Sequence, residues 1–254
     1  MRNLRQLRFA MIACVCLPFT GSHVGWAGPA RSELYVEDPY APHKTDGTIA
    51  RIGTAVGYMF FPSSTMATSS GVAASGDVLA LGLVMAVGQR WGRFAVESEY
   101  SYLGFRALDS NDLRIGNGHR LGVLARFDVL QIGPRIVGQN SLLSLYVEGG
   151  AATAWNYWSR PQYNEASRIV PDDTKRVEAQ VGVGVMLDHR LQEPIGFPRR
   201  VGWFLGWRVS MSPHQPVTGA VCKGVSCRPV TMEEDPGKLV DRSMLFQSSL
   251  EFTF

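Results

Sequence analysis

The chain has 254 residues, with 25 Lys and Arg against 22 Asp and Glu; a formal charge of only +3 excludes the strongly basic balance of a nucleic-acid-binding domain. Its four cysteines and five histidines fall in no zinc-binding spacing. Gly182-Val183-Gly184 sits inside an alternating apolar segment rather than before a helix, so it makes no phosphate cradle. Neither a metal, a cofactor nor a nucleic-acid partner is expected.

Residues 1–27 place Arg2, Arg5 and Arg8 ahead of an apolar run from Phe9 to Phe19, followed by Gly25, Trp26 and Ala27. This is the pattern of a secretory signal peptide cleaved after Ala27. The run is far shorter than the roughly 20 residues of a spanning helix. Cys14 and Cys16 leave with the leader, since Met11, Ile12 and Ala13 make a poor lipobox. The leader arginines account for the net charge, so the mature chain is close to neutral. Residues 28–48 contain Pro39 and Pro42 with no hydrophobic period, and read as an extended periplasmic segment.

From residue 49 to 254 the pattern changes to strict alternation, the period of a β-strand with two unlike faces. The first segment, Ala50 to Phe60, sets Ile52, Thr54, Val56, Tyr58 and Phe60 against Arg51, Gly53, Ala55 and Gly57. After a Ser/Thr/Gly-rich loop, Leu79, Leu81, Leu83, Met85 and Val87 oppose Ala80, Gly82, Val84 and Ala86. A short turn at Gln89 to Gly92 leads to Phe94, Val96, Ser98, Tyr100 and Tyr102 against Arg93, Glu97, Glu99 and Ser101. The fourth segment sets Leu121, Val123, Ala125, Phe127 and Val129 against Arg120, Gly122, Arg126 and Asp128. The fifth, Leu142 to Tyr157, sets Leu143, Leu145, Val147, Ala151, Thr153 and Trp155 against Ser144, Tyr146, Glu148 and Gly150. The sixth sets alternate residues from Val177 to Leu187 against Arg176, Glu178, Gln180, Gly182, Gly184 and Asp188. The seventh sets Val201, Trp203, Leu205, Trp207, Val209 and Met211 against Gly202, Phe204, Gly206, Arg208 and Ser210. The longest loop, Pro213 to Val240, precedes a last segment in which Phe246, Ser248, Leu250, Phe252 and Phe254 oppose Gln247, Ser249, Glu251 and Thr253.

Eight such segments, each long enough for a tilted strand to cross a bilayer, predict an all-β, eight-stranded antiparallel up-and-down transmembrane barrel. One face is apolar around every segment. The other carries Arg51, Arg93, Glu97, Glu99, Arg120, Arg126, Asp128, Glu148, Arg176, Glu178, Asp188, Arg208 and Glu251. Burying those charges is tolerable only if they pair, so the interior of so narrow a barrel is expected to be a charge network. The glycines Gly53, Gly82, Gly122, Gly182 and Gly184 are expected to make room for its long arginines. With residue 50 on the periplasmic side, Tyr58, Phe60, Tyr100, Tyr102, Trp155 and Tyr157 fall at the outer end. Phe94, Phe127, Trp203, Phe252 and Phe254 then fall at the inner end, as two aromatic girdles require. Both termini are expected to be periplasmic. Cys222 and Cys227, with four residues between them in an exported chain, are expected to form a disulfide.

The signal peptide, the alternating segments and the terminal Phe254 together resemble the small outer-membrane barrels of the OmpA/OmpX type found in Gram-negative bacteria. The resemblance implies that Phe246, Leu250, Phe252 and Phe254 form the C-terminal signal read by the barrel-assembly machinery. It also implies outer-membrane lipid and lipopolysaccharide as surroundings. The chain reads as barrel only, without the peptidoglycan-binding domain of full OmpA-type proteins. The expected function is non-enzymatic: a plugged barrel presenting loops for envelope integrity, adhesion or recognition of an extracellular ligand. A narrow pore or a conduit for small hydrophobic solutes, as in OmpW-like barrels, is the alternative. A lipid A-modifying enzyme is the second; it would need a nucleophile, a base and an orienting carboxylate near the outer leaflet, where His119 and Ser212 with His214 lie, but neither is followed by the His-x-Ser spacing and downstream Glu of a lipid A deacylase.

Overall fold

The computed structural model describes residues 46–60, 66–67, 73–74, 77–107, 115–133, 140–158, 168–191, 198–213, 218–223, 226–231 and 240–254. The leader at 1–27, most of the segment at 28–48, His214 and the side chains of Tyr58, Phe60 and Cys222 lie outside that description. In chain order the strands are β1 (Gly47–Phe60), β2 (Met66–Ala67), β3 (Ala73–Ala74), β4 (Asp77–Trp91), β5 (Phe94–Ala107), β6 (Ile115–Ile132) and β7 (Ser141–Trp158). They continue as β8 (Arg168–Pro171), β9 (Thr174–Arg190), β10 (Arg200–Pro213), β11 (Thr218–Lys223), β12 (Ser226–Thr231) and β13 (Val240–Thr253). Eight of them close a barrel in the order β1-β13-β10-β9-β7-β6-β5-β4. Every neighbouring pair is antiparallel, and β1 seals the cylinder between β4 and β13.

Closure removes every open edge from the wall, so its strands pair their backbone donors and acceptors with a neighbour on each side. The seam is extended at the last residue, where the Phe254 amide donates to the Thr48 carbonyl at 2.9 Å. Period-two patterning then sorts the side chains. Leu81, Leu83, Val123, Val177, Val181 and Phe246 point outward and stay about half exposed or more. Arg51, Glu97, Arg126, Glu148, Arg208 and Glu251 point inward and are buried. An apolar exterior of this extent wrapped around a charged interior is an inside-out protein, whose solvent on the outside is lipid. No described helix is long and apolar enough to cross a membrane; this chain crosses with strands.

Two local irregularities position the interior. Trp91 pairs with Phe94, leaving Gly92 and Arg93 as a two-residue turn with Gly92 at φ 57°; glycine is favoured at such a position because it has no Cβ to clash. Arg93 is therefore exposed in the turn and does not join the interior network, contrary to the alternation read from sequence. Arg90, on the inward phase near the end of β4, takes that place. At Val129 a bulge shifts the β6–β7 register between Asp128 and Leu130, so Val129 and Leu130 both face outward. The bulge ends the inward phase of β6 on Asp128, whose amide is held by the Arg93 carbonyl at 2.8 Å.

At the end away from the termini, residues of two loops join in a separate sheet, β12-β11-β8. Cys222 and Cys227 stand opposite each other in the β11–β12 register.

Candidate functional site

The lumen is the most structured polar region of the molecule. Arg126 grips Glu251 with two hydrogen bonds of 2.6 and 2.9 Å and reaches Glu97 at 3.0 Å. Arg51 joins Glu97 at 2.9 Å to Glu99 at 2.8 Å. Arg208 then links Glu99 to Glu148, the latter at 2.7 Å. At the other end of the same relay, Arg90 lies 3.7 Å from Glu251 and ion-pairs with Asp128. The result is one unbroken sequence of alternating charge, Asp128, Arg90, Glu251, Arg126, Glu97, Arg51, Glu99, Arg208 and Glu148. Its links from β13 to β6 and from β10 to β5 join opposite walls of the barrel. In a low-dielectric interior such charges persist because each carboxylate has a guanidinium partner; an unpaired one would cost several kcal/mol.

Three further pairs flank the relay. Arg200 meets Asp188 at 2.6 Å near the termini, while Arg120 meets Glu178 at 3.2 Å and Arg176 meets Asp241 at 3.3 Å toward the loops. Arg90, Arg200 and Asp241 escape a sequence reading because each lies at a strand end, where alternation cannot be separated from turn. Gln247 adds a neutral acceptor, 3.4 Å from the Arg208 guanidinium.

The relay rests on an aromatic shelf. Tyr146 and Phe204 stack with centroids 4.6 Å apart, and the Arg51 guanidinium lies 4.1 Å from the Phe204 centroid. This arrangement revises the role expected of the glycines. A Cβ on Gly184 or Gly206 would meet the Tyr146 hydroxyl, and one on Gly182 would fall 2.7 Å from a Glu148 carboxylate oxygen. One on Gly53, Gly82 or Gly122 would strike the neighbouring strand. The atoms nearest an added Cβ at these glycines belong to a tyrosine, a glutamate and the neighbouring strands rather than to the arginines expected from sequence.

Nor is the lumen charged throughout. Toward the loops Val78, Ala80, Leu103, Phe105, Trp158 and Leu245 form a buried apolar layer, against which Ala220 of β11 packs. Phe105 and Trp158 rings meet at 6.0 Å. The Trp158 amide donates to Asp173 at 3.1 Å and the Asp172 amide to the Thr218 carbonyl at 2.9 Å, tying the loop sheet to the mouth. Ion pairs thus span the middle of the barrel, and an apolar layer lies under a small sheet toward the loops.

On the outer wall, Phe94, Phe127, Trp203 and the last two phenylalanines lie at the end near the termini, while Tyr100, Tyr102, Trp155 and Tyr157 lie at the loop end. His119 sits among the second group, its Nδ1 2.7 Å from the Tyr100 hydroxyl. Ser212 is buried and faces the lumen, so it does not share a surface with His119. Ser141 meets His189 at 3.1 Å at the opposite rim, with no carboxylate within 4 Å of that ring among the described residues. No described group of three or more His, Cys, Asp and Glu is arranged to hold a metal.

No protein-family model matches the chain, and no curated protein matches it. Among solved structures it is similar to the crystal structure of Neisserial surface protein A, with 11% sequence identity, 82% of this chain and 99% of that chain covered, and a TM-score of 0.45. By its own geometry the chain is a closed eight-stranded antiparallel barrel, apolar outside and charged within, the architecture of the small outer-membrane barrels.

Proposed function

We propose that this protein is a non-enzymatic barrel of the outer membrane of a Gram-negative bacterium, exported by a cleaved leader and inserted with both termini in the periplasm. Its lumen does not conduct. Its working surface is the loop end, where β8, β11 and β12, clamped by a Cys222–Cys227 disulfide, face outward for envelope integrity, adhesion or recognition of an extracellular ligand. The barrel-assembly machinery reads Phe246, Leu250, Phe252 and Phe254, and the wall is solvated by outer-membrane lipid and lipopolysaccharide.

The observation that supports this reading is the cross-lumen relay from Asp128 to Glu148, whose side chains are all buried inside the barrel. Cys227 is disulfide-bonded, which supports a clamped outer hairpin and an oxidising compartment. The test is single-channel conductance of the refolded full chain in a planar bilayer, after gel mobility with and without heating has shown it folded. A folded, electrically silent barrel is expected. Stable current steps would overturn the plugged-barrel reading and favour a narrow pore.

A further inference from the structure

Across four neighbouring strands, one row of outward-facing residues lies in direct register: Tyr102 on β5, His119 on β6, Trp155 on β7 and Lys175 on β9. It marks the loop-side limit of the apolar wall, since the next outward residues toward the termini on β6 and β9 are Leu121 and Val177. The row is organised. His119 is fixed by Tyr100 through Nδ1 and packs against Tyr102 at 5.2 Å, with Tyr157 edge-on at 5.8 Å. The Lys175 ammonium lies 5.7 Å from the Trp155 ring centroid.

Lys175 has no ion-pair partner among the described residues. Among the described residues no carboxylate comes within 4 Å of its ammonium, although Asp172 and Asp173 are close in sequence. Asp173 is engaged with the Trp158 amide. The described carboxylates of the wall at this level, Glu178 and Asp241, point into the lumen. When the Tyr100 hydroxyl donates to Nδ1, the opposite nitrogen of His119 is left as an N–H donor toward the outside. Neighbouring strands are about 4.8 Å apart, so His119 and Lys175, two strands removed, stand roughly 10 Å apart at the backbone. The lysine lies beside the intervening Trp155, so both polar residues border one aromatic surface.

We propose that this row is a docking site for the phosphorylated head of an outer-leaflet glycolipid. Lys175 supplies the charge, His119 donates a hydrogen bond to a phosphate oxygen, and Tyr102 and Trp155 form an amphipathic floor for the sugar. The inference rests on the reading that the loop end faces the outer leaflet. Charge complementarity supports it, because at this boundary Lys175 is exposed while Glu178 and Asp241 of the wall strands are buried.

The test uses the refolded full chain in phosphatidylcholine nanodiscs, titrated with bisphosphorylated lipid A, dephosphorylated lipid A or phosphatidylglycerol, and read by native mass spectrometry. Bisphosphorylated lipid A should be retained in preference to the other two. Lys175→Gln should weaken its binding roughly tenfold and His119→Phe several-fold, as loss of charge-assisted hydrogen bonds predicts, with heat-shifted gel mobility unchanged. Wild-type affinity in Lys175→Gln, or equal retention of phosphatidylglycerol, would overturn the proposal. Orientation is read separately by labelling Asp172→Cys in intact cells with a membrane-impermeant maleimide. Protection from that reagent would overturn the outward reading and leave the nanodisc result to stand on its own.

Discussion

Replacing Arg208 with methionine should be among the most damaging single changes in the lumen. The Arg208 side chain is 1% exposed, donates from Nε to Glu148 at 2.7 Å, and also ion-pairs with Glu99. Glu99 would keep Arg51 at 2.8 Å, whereas Glu148 has no second cation within 4 Å among the described residues. A buried carboxylate left alone costs about 3–5 kcal/mol. Adding Glu148→Gln removes the orphaned charge and should recover at least about half of that loss, since deleting a whole pair is far milder than halving it. Arg126→Met is the internal comparison. Its two carboxylates retain Arg51 at 2.9 Å and Arg90 at 3.7 Å, so its cost should be smaller than that of Arg208→Met. The assay is equilibrium urea unfolding of the refolded barrel in lipid vesicles, followed by tryptophan fluorescence. If Arg208→Met falls within about 1 kcal/mol of the wild type, or the double variant is as unstable as the single, pairing does not hold the lumen together.

The lipid-facing wall gives a second expectation: Leu83 is 54% exposed in the middle of β4, and Leu83→Arg should destabilise the barrel by about 2–4 kcal/mol in the same assay. The glycines divide into two kinds. Gly184→Ala places a methyl against Tyr146 and should cost about 1–3 kcal/mol by overpacking. At Gly104 the nearest atom to an added Cβ is the Leu81 carbonyl oxygen at 3.5 Å, so Gly104→Ala should leave gel mobility and the urea midpoint unchanged. Because the β11–β12 hairpin lies outside the barrel sheet, Cys227→Ser should shift barrel stability by no more than about 0.5 kcal/mol. Faster cleavage of the hairpin by added protease, read on a gel, is its expected signature.

Period-two alternation is a local property of the chain, which is why the sequence alone determined the eight wall strands, their inside and outside faces, and the sorting of Tyr100, Tyr102 and Trp155 from Phe94, Phe127 and Trp203. Most inward charges were legible for the same reason. Which of them meet was not, because a partner is set by closure and stagger, and those bring together residues as distant as Arg126 and Glu251. Strand ends show the limit clearly. A two-residue turn excludes Arg93 and admits Arg90, and no pattern within the segment distinguishes the two. The apolar layer at Phe105, Trp158 and Leu245 became visible only when the loop sheet placed Ala220 against it. The glycines reveal their purpose only beside Tyr146 and the neighbouring backbones. The row from Tyr102 to Lys175 exists in no stretch of sequence, since register alone aligns four strands at one height. Alternation assigns a side chain to a face; only the closed sheet assigns it a neighbour.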